Sequence, residues 1–357
     1  MTRFNHPLYL EDIKQVMALP LDWNKLRGST FLISGASGNI AGMFIDVLLN
    51  LNLDINVIAL GRNTRRAEIR FAKYWNDEHF SFFAGDINYG VSLDKAANKA
   101  EFQDDKADYI LHAASNTHPA AYSSDPIGTI TTNIIGTWHL LEYGANCGCK
   151  RFIYASSVEI YGENRGDIDK FDEGYLGYID CNTMRAGYPE SKRAGEALCQ
   201  AYIAQMGMDI VIPRLSRTYG PTLLDSDTKA ISQFIHKGVK GEDIVLKSEG
   251  NQLYSYSYVA DAVSALFYCL INGEKGQAYN IADEASDKRL KELAQTIADY
   301  SGTRVIFELP DSAEAAGYST ATTAVLDASK LASLGWKAHY TMEEGLKRTL
   351  TILRESD

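Results

Sequence analysis

The sequence predicts an α/β fold: a doubly wound parallel sheet followed by a smaller, mixed α/β part. Short apolar strands alternate with longer helical segments as far as residue 215. The first strand, Thr30–Ser34, runs directly into a glycine-rich turn and a helix. The apolar run 209–215 is typical of a strand that is covered on both faces, as in a parallel sheet.

Composition and charge narrow the class of protein. The chain has 357 residues, of which 45% are hydrophobic and 23% charged, enough for one large or two closely joined domains. Its net charge of −11 argues against general nucleic-acid binding, which needs a basic surface, but allows an anionic small substrate held by local cations. Neither an apolar signal core nor 18 uninterrupted apolar residues occurs, and the five cysteines show no metal-like pairing. We therefore expect a cytoplasmic protein with reduced thiols, no metal site and no membrane contact.

The first strand and its turn predict a dinucleotide site. Gly35 and Gly38 allow a tight turn and a close approach of backbone to a pyrophosphate, which the N-terminus of the next helix, predicted over 40–51, favours electrostatically. The usual third glycine is Ala41, which is also small. This context makes the predicted sheet Rossmann-type; the alternative is a turn that holds no ligand. From this turn we assign to cofactor binding Gly35, Ser37, Gly38, Asn39 and Ile40.

The end of the second predicted strand, 55–60, bears on the choice between NAD and NADP. An acidic residue at this place binds the ribose diol of NAD, whereas an arginine accommodates the 2′-phosphate of NADP. The chain has Gly61 and Arg62 here, followed by Arg65 and Arg66. Arg62, Arg65 and Arg66 therefore favour NADP, although ordinary solvated cations at the start of a helix are an equally good interpretation.

The third and fourth predicted strands extend the cofactor crevice. Phe80–Ala84 is followed by Asp86, whose carboxylate is placed to accept a hydrogen bond from an adenine amine, and a helix is expected within 88–107. The strand 109–114 ends in small residues, which would let a cofactor lie against the backbone. A long helix over 125–147 carries an interior asparagine that is better suited as a polar bridge than as a helix former. Here we assign to cofactor binding Asp86, Ile87, Ala113, Ala114 and Asn133.

The chemistry is predicted beyond the fifth strand, 151–155. Ser157 and Glu159 follow that strand, and ligands of open parallel sheets bind beyond the carboxyl ends of the strands. Tyr188 and Lys192 share one side of a helix predicted to reach residue 205. A neighbouring ammonium favours the phenolate, and a tyrosine tuned that way can take a proton from a sugar hydroxyl near neutral pH. The alternative is a surface helix that carries an aromatic residue and a cation at a common spacing.

After residue 215 the predicted elements are short and mixed. We expect helices over 226–239, 259–272, 287–300 and 342–354, and strands over 243–246, 279–281 and 305–309. We divide the chain into an N-terminal arm (1–27), a Rossmann-type dinucleotide-binding domain (28–215) and a substrate-binding domain (216–357), with the chain crossing between the last two more than once. The arm contains a short helix over 11–19, packed on the body or on a second subunit.

Several stretches of the chain form a recognisable set: SGASGNIAG, GDI, YILHAAS, TTNIIGTWHLLE, RFIYASSVEIYG, YPESKRAGEALC, RLSRTYGP, SYVADAV and AYNIA. In their order and spacing, from residue 30 to about 282, they resemble the extended short-chain dehydrogenase/reductase superfamily in its nucleotide-sugar epimerase and dehydratase branch. The later Leu334-Gly335-Trp336 also fits. The stretch RAGYPESKRAGE is most similar to UDP-glucuronate decarboxylases and their dehydratase relatives.

The resemblance implies an enzyme that uses NAD or NADP to oxidise a nucleotide sugar at C4, changes a neighbouring carbon and often reduces C4 again. It implies that Ser157 bonds the C4 oxygen, that Tyr188 is the base, and that Lys192 tunes Tyr188 and binds the nicotinamide ribose. Glu159 stands where dehydratases and decarboxylases have the base for the C5 proton; alternatively it only hydrogen-bonds locally. Val158 cannot supply the acid that hexose 4,6-dehydratases have there.

Substrate-side positions depart from that family's pattern. An expected asparagine is Arg217, an expected diphosphate-binding arginine is Tyr254, and residues 320–323, where a second cation is common, read Thr-Ala-Thr-Thr. Arg217 then binds an anionic group of the substrate, a diphosphate or a sugar carboxylate; alternatively it pairs with an acidic residue of the protein. We assign to substrate binding Ser115, His118, Arg185, Arg217 and Tyr254.

The leading hypothesis is an enzyme that performs epimerisation, dehydration or decarboxylation of a nucleotide sugar by way of C4 oxidation. A second hypothesis is a one-way keto-sugar reductase with exchangeable NADPH, which Arg62 would suit. A third is a non-catalytic, cofactor-binding regulator or scaffold, which the presence of Ser157, Tyr188 and Lys192 disfavours. The resemblance also implies a homodimer formed through the helices 125–147 and 188–205.

Overall fold

The structure, a computed structural model, describes residues 1–91, 93, 96–98, 106–117, 124–308 and 322–356. The main sheet consists of β1 Thr30–Ser34, β2 Asn56–Gly61, β3 Phe80–Ala84, β4 Tyr109–His112, β5 Arg151–Tyr154, β6 Ser156–Ser157, β7 Ile210–Leu215 and β11 Ala278–Ile281. Its order is β3-β2-β1-β4-β5-β7-β11, with β6 paired beside β7, and the pairings are parallel. The direction of winding reverses between β1 and β4, which confirms the predicted doubly wound sheet.

Helices cover both faces of this sheet, because the side chains of its strands alternate between two cores. Leu32 belongs to the core that contains Leu140, whereas Phe31 belongs to the opposite core with Phe44. Phe44 stacks on Phe267 with ring centres 4.2 Å apart. The helices are α1 Pro7–Met17, α2 Asn39–Asn50, α3 Thr64–Arg70, α4 Pro126–Cys147, α5 Gly187–Met206, α6 Ala230–Lys240, α7 Val259–Asn272, α8 Leu290–Ser301, α9 Ser329–Ala332 and α10 Met342–Glu355.

A second, smaller body is built around one strand, β10. Its strands are β8 Arg217–Tyr219, β9 Ile244–Leu246, β10 Leu253–Tyr258, β12 Asp287–Arg289, β13 Val305–Phe307 and β14 Thr323–Ala324. β10 pairs with β8, β12 and β14, while β9 and β13 pair separately. Between these elements the chain returns to the main sheet through α7 and β11. The domain boundary at 215/216 stays a prediction.

The N-terminal arm packs on the body of its own chain. The Tyr9 hydroxyl donates to Asp46 of α2, and the Arg70 guanidinium lies 2.5 Å from the same carboxylate, so three buried polar side chains are linked by hydrogen bonds. Asp12 accepts hydrogen bonds from Tyr258 of β10 at 2.6 Å and from Arg348 of α10 at 2.8 Å. The arm therefore joins the main sheet to the second body.

Most predicted elements are present with small differences at their ends. Helix α1 begins at Pro7 rather than at 11, because the His6 side chain accepts from the Leu8 backbone and proline suits the first helical position. Residues 287–289, predicted as the start of a helix, pair with β10 as a strand instead. Strands β8 and β10 had no counterpart in the prediction. The helix expected within 88–107 falls largely outside the described residues. Within the described part of the chain, none of the helices is both long and apolar enough to cross a membrane.

A buried carboxylate at the start of α7 ties that helix to the segment before α10. Asp261 accepts hydrogen bonds from the backbone N–H groups of His339 at 2.8 Å and Tyr340 at 3.1 Å. Burial raises the pKa of Asp261 to about 7, and the nearby charges of Asp283 and Asp12 act in the same direction. The folded chain therefore holds this proton to a much higher pH than the unfolded chain does.

Asp261→Asn should change stability by an amount that depends on pH. The stability contributed by the bound proton is fully present below about pH 4 and is lost as the pH rises towards 7, whereas asparagine carries no such dependence. From pH 5 to pH 7.5 the urea midpoint of the variant should therefore rise relative to that of the wild type. Asp243→Asn is the control: the pKa of Asp243 is lowered by the Arg304 backbone N–H, so no change is expected in this range. A pH-independent difference for Asp261→Asn would contradict the prediction.

Candidate active site

The glycine-rich turn after β1 lies directly against the backbone after β4. Gly35 has φ of +69°, and a Cβ atom there would come within 2.8 Å of Ala113 O and of Ala114 N. The Gly38 N–H donates to Gly35 O at 2.9 Å, and Gly38 precedes the first residue of α2. Only glycine fits at position 35, because any side chain there would overlap the backbone after β4. The turn brings backbone N–H groups and the start of α2 to the switch point of the sheet, which is the arrangement that binds a dinucleotide.

A buried polar chain holds this turn in place. The Ala114 N–H donates to Ser34 Oγ at 3.2 Å, and Ser34 Oγ lies 2.8 Å from His112 Nδ1. The other ring nitrogen of His112 lies 2.9 Å from Thr137 Oγ1 on α4. Burial holds the pKa of His112 well below its ordinary value, so the imidazole is neutral and its role here is structural.

The second body reaches over this turn at two points that the sequence interpretation missed. The Thr222 hydroxyl donates to the Asn39 backbone carbonyl at 2.9 Å and to Asn39 Oδ1 at 2.5 Å. Lys229, just before α6, has its ammonium 3.3 Å from Thr117 Oγ1 in the loop after β4. Lys229 thus brings a cation to the edge of the cleft, and a lysine before a helix carries no sequence signal for such a position.

The predicted adenosine end of the crevice is formed by the ends of β2 and β3. Asp86 Oδ1 accepts from the Asn88 N–H at 3.0 Å, which leaves its second oxygen for another donor. Ile87 is buried against α4, where a Cβ on Gly136 would come within 2.5 Å of its Cδ1. Arg62 is exposed, and its Nη2 lies 3.4 Å from Asn116 Oδ1 in the loop after β4. These positions fit residues that contact a cofactor, and their roles stay predictions.

Tyr188 and Lys192 lie one turn apart on α5, beside Ser157 at the end of β6. The Tyr188 hydroxyl is hydrogen-bonded to Ser157 and to Ser115. The Lys192 ammonium donates to the Ala155 carbonyl at 2.8 Å. The structure therefore brings together the predicted hydroxyl, base and lysine at the carboxyl ends of the central strands.

The expected lowering of the tyrosine pKa by the lysine is not observed. Burial raises the pKa of Tyr188 to about 12 and the charge of Glu159 adds to the rise, while hydrogen bonds from Ser157 and Ser115 oppose it. Burial also lowers the pKa of Lys192 to about 8, against the opposing charge of Glu196. The expectation was wrong for this structure, because desolvation is the largest effect on the pKa of both side chains. The Lys192 ammonium donates to the Ala155 carbonyl, and its charge is not among the causes that shift the pKa of Tyr188.

Asn133 is the polar bridge that supports this centre. Its side-chain oxygen accepts from Ser115 Oγ at 2.7 Å, and its nitrogen donates to Ser191 Oγ at 2.9 Å. Ser191 Oγ in turn donates to the Tyr188 carbonyl at 2.8 Å. Because Asn133 is fully buried, both the oxygen and the nitrogen of its amide need hydrogen-bond partners. The two hydrogen bonds fix Ser115 and the start of α5 relative to each other.

Arg217 pairs with a carboxylate of the protein. Its Nη2 lies 3.2 Å from Glu159 Oε1, and its guanidinium carbon lies 3.6 Å from the centre of the Tyr254 ring. Arg217 begins β8, opposite Tyr256 of β10, so Tyr254 is two residues away on the neighbouring strand. The structure therefore shows the alternative in which Arg217 pairs with an acidic residue of the protein. Arg217 and Tyr254, two of the departures from the family pattern, form one cluster with Glu159.

Other predicted site residues are placed less closely. Arg185 is half-buried in the turn Met184–Ala186 just before α5. His118 lies outside the described residues, as do residues 320 and 321. Below the site, an ion pair that the sequence interpretation missed joins Arg214 to Glu196 at 2.7 Å. This pair joins α5 to β7 across 18 residues of sequence, so helical spacing does not predict it.

The chain is similar to several known proteins. Residues 31–282, more than half of the chain, match the family model described as NAD dependent epimerase/dehydratase family. The chain is 27% identical over 325 residues to UDP-glucuronic acid decarboxylase 1 of Xenopus tropicalis, covering 91% of this chain and 72% of the relative. It is 29% identical over 330 residues to dTDP-D-glucose 4,6-dehydratase of Mus musculus, covering 91% and 88%. The crystal structure of a dTDP-glucose 4,6-dehydratase from Streptomyces venezuelae superposes with a TM-score of 0.75 at 24% identity, covering 91% of this chain and 97% of that one.

Tyr188→Phe should keep the fold and the bound cofactor but lose turnover by roughly 10²–10⁴-fold, because it removes the proton acceptor and little volume. Steady-state rates and cofactor content of the purified variant check this. Tyr178→Phe is the control, since the ring of that tyrosine is exposed and contacts Arg165. Wild-type rates in the Tyr188 variant would remove it from the assignment.

Gly61→Asp combined with Arg62→Ala should shift cofactor preference towards NAD. An aspartate at the end of β2 would accept from the ribose hydroxyls and repel a 2′-phosphate. The ratio of the NADP to the NAD dissociation constant, measured by titration, should rise in the double variant and stay unchanged in Arg27→Ala, where an exposed arginine is hydrogen-bonded to Asn24 before β1. An unmoved ratio in the double variant would show that the end of β2 does not contact this ribose.

Proposed function

The chain belongs to the NAD dependent epimerase/dehydratase family, and from that premise we propose that it is an enzyme acting on a nucleotide sugar by oxidation at C4 and chemistry at a neighbouring carbon. The observation that carries this proposal is the hydrogen-bonded group of Tyr188, Ser157 and Ser115, with Lys192 one turn away, at the carboxyl ends of the central strands. Relatives named as decarboxylases and as dehydratases point to the same class of substrate.

In this proposal each side chain has one task. Ser157 holds the C4 oxygen, Tyr188 takes the proton from that hydroxyl and returns it, and Lys192 supplies the positive charge beside the nicotinamide ribose. When bound, oxidised NAD(P) supplies the hydride acceptor and a further positive charge. Burial of Tyr188 keeps water from the proton it carries, and the bridge through Asn133 keeps its helix in register with Ser115.

The step at the neighbouring carbon falls to Glu159. Its backbone N–H donates to Ser157 Oγ at 3.2 Å, which supports a position beside the carbon whose oxygen Ser157 would hold. Val158 is buried and has no proton to give, so loss of a hydroxyl would need an acid from elsewhere. Among epimerisation, dehydration and decarboxylation, this favours chemistry that needs a base or a charge beside C5 but no acid at position 158.

Two further features belong to the proposal. Apolar side chains on the outer face of α4 are exposed, which supports a homodimer formed by α4 and α5; they are Ile127, Ile130, Ile135 and Trp138. All five cysteines are free thiols, which supports the predicted cytoplasmic location.

The test begins with the protein as purified. We expect it to carry tightly held NAD or NADP, identified by absorbance and mass spectrometry of the extract, and to convert a nucleotide sugar without added cofactor. UDP-glucuronate, UDP-glucose and dTDP-glucose are the first substrates to try, with products separated by chromatography.

A protein that arrives empty and consumes one NADPH per product would instead support the keto-sugar reductase that Arg62 suits. A protein that binds cofactor but changes none of a wide panel of nucleotide sugars would support the non-catalytic alternative. Either result would contradict the proposal.

A further inference from the structure

The Arg217 guanidinium is only partly used by the protein. Its Nη2 is paired with Glu159, whereas Nη1 is buried and finds no hydrogen-bond partner among the residues that the structure describes. The Arg217 side chain as a whole is 18% exposed, so water reaches only part of it. A buried donor without an acceptor costs free energy, and a ligand that supplies an acceptor at this point would recover it.

The guanidinium is also held in a fixed plane. Tyr254 is buried and the Arg217 guanidinium carbon lies over its ring, 3.6 Å from the ring centre, while Tyr256 contacts that ring edge-on with ring centres 6.4 Å apart. Stacking of this kind orients an arginine fork without using its hydrogen-bond donors. Arg217 is therefore preorganised for a planar, charged partner such as a carboxylate or a phosphate.

The position of Arg217 decides between those two partners. Glu159, its partner, donates its backbone N–H to Ser157 Oγ at 3.2 Å, and the charge of Glu159 is felt at Tyr188. Arg217 is thus linked through Glu159 to Ser157 and Tyr188, the two residues that would contact the C4 oxygen in the proposed function. In a hexopyranose the diphosphate on C1 lies across the ring from C4, whereas C5, with its C6 substituent, is the direct neighbour of C4.

We propose that Arg217 binds a carboxylate at C6 of the sugar, so that the substrate class is a nucleoside diphosphate hexuronate. This inference rests on the proposed function and deepens it. Arg217 is then shared between two carboxylates: Nη2 stays on Glu159 and Nη1 donates to the substrate. Glu159 weakens the binding of the same ligand, because its carboxylate repels the bound carboxylate of the sugar.

Titration calorimetry with two ligands tests this directly. UDP-glucuronate and UDP-glucose differ only in the carboxylate at C6, and Tyr188→Phe protein saturated with NAD binds them without turnover. This parent should prefer the uronate. Arg217→Gln should lose roughly ten- to a hundred-fold in affinity for UDP-glucuronate and little for UDP-glucose. Glu159→Gln should strengthen UDP-glucuronate alone, because it removes the like charge.

Two more variants serve as controls in the same titration. Arg217→Lys keeps the charge but not the planar fork and should fall between the parent and the glutamine variant. Arg165→Gln removes an exposed arginine that stacks on Tyr178 at 4.4 Å and should leave both affinities unchanged. Melting temperatures of all variants establish that each one is folded before its affinity is compared.

The possible outcomes distinguish failure of the proposed carboxylate site from failure of the proposed nucleotide-sugar function. Equal affinity of the parent for both ligands, or an equal loss for both in Arg217→Gln, would overturn the carboxylate site and leave the nucleotide-sugar function standing. Failure of both ligands to bind the parent would overturn the proposed function, and the carboxylate site with it.

Discussion

The close approach of the Gly35 turn to the backbone after β4 is the constraint on which the cleft depends. A side chain at position 35 would overlap Ala113 and Ala114, so the two central strands can end side by side only with glycine there. The chain through Ser34 and His112 fixes this contact from inside the sheet. Because Ser115 follows Ala114 directly, the same contact that shapes the cofactor wall also places a hydrogen-bond partner for the tyrosine.

Burial dominates the electrostatics of the centre. Tyr188 and Lys192 are both enclosed, and desolvation moves both of their pKa values towards the neutral forms. The hydrogen bonds that Tyr188 makes with Ser157 and Ser115 oppose the rise of its pKa, and Asn133 holds Ser115 in place for one of them. A hydrogen bond of this kind contributes about 1 kcal/mol net, and leaving one of its buried ends unpaired costs about 1–3 kcal/mol. The geometry around Tyr188 therefore depends on Asn133, a fully buried residue of α4.

Features encoded within a few neighbouring residues were predictable, and features made by packing were not. The glycine turn and the four-residue spacing of Tyr188 and Lys192 are local patterns, so strand, turn and helix followed from them. The pairing of Arg217 with Glu159 requires two segments 58 residues apart to meet, and the contact of Thr222 with Asn39 spans 183 residues. Neither contact can be predicted from the spacing of residues along the sequence. The same holds for the tyrosine pKa, since the sequence indicates which charges are near but not how much water is removed.

The central claim, that this cleft oxidises a nucleotide sugar at C4, is tested most directly by following the C4 hydrogen. A nucleotide sugar deuterated at C4 is mixed with the protein, the first turnover is quenched, and the extracted nicotinamide cofactor is analysed by mass spectrometry. The account predicts that deuterium from C4 is found in the reduced cofactor, or has passed through the cofactor back to a carbon of the product sugar. Product that forms with its C4 deuterium exchanged into water, or with an unlabelled cofactor reduced by hydrogen from another carbon, would contradict it.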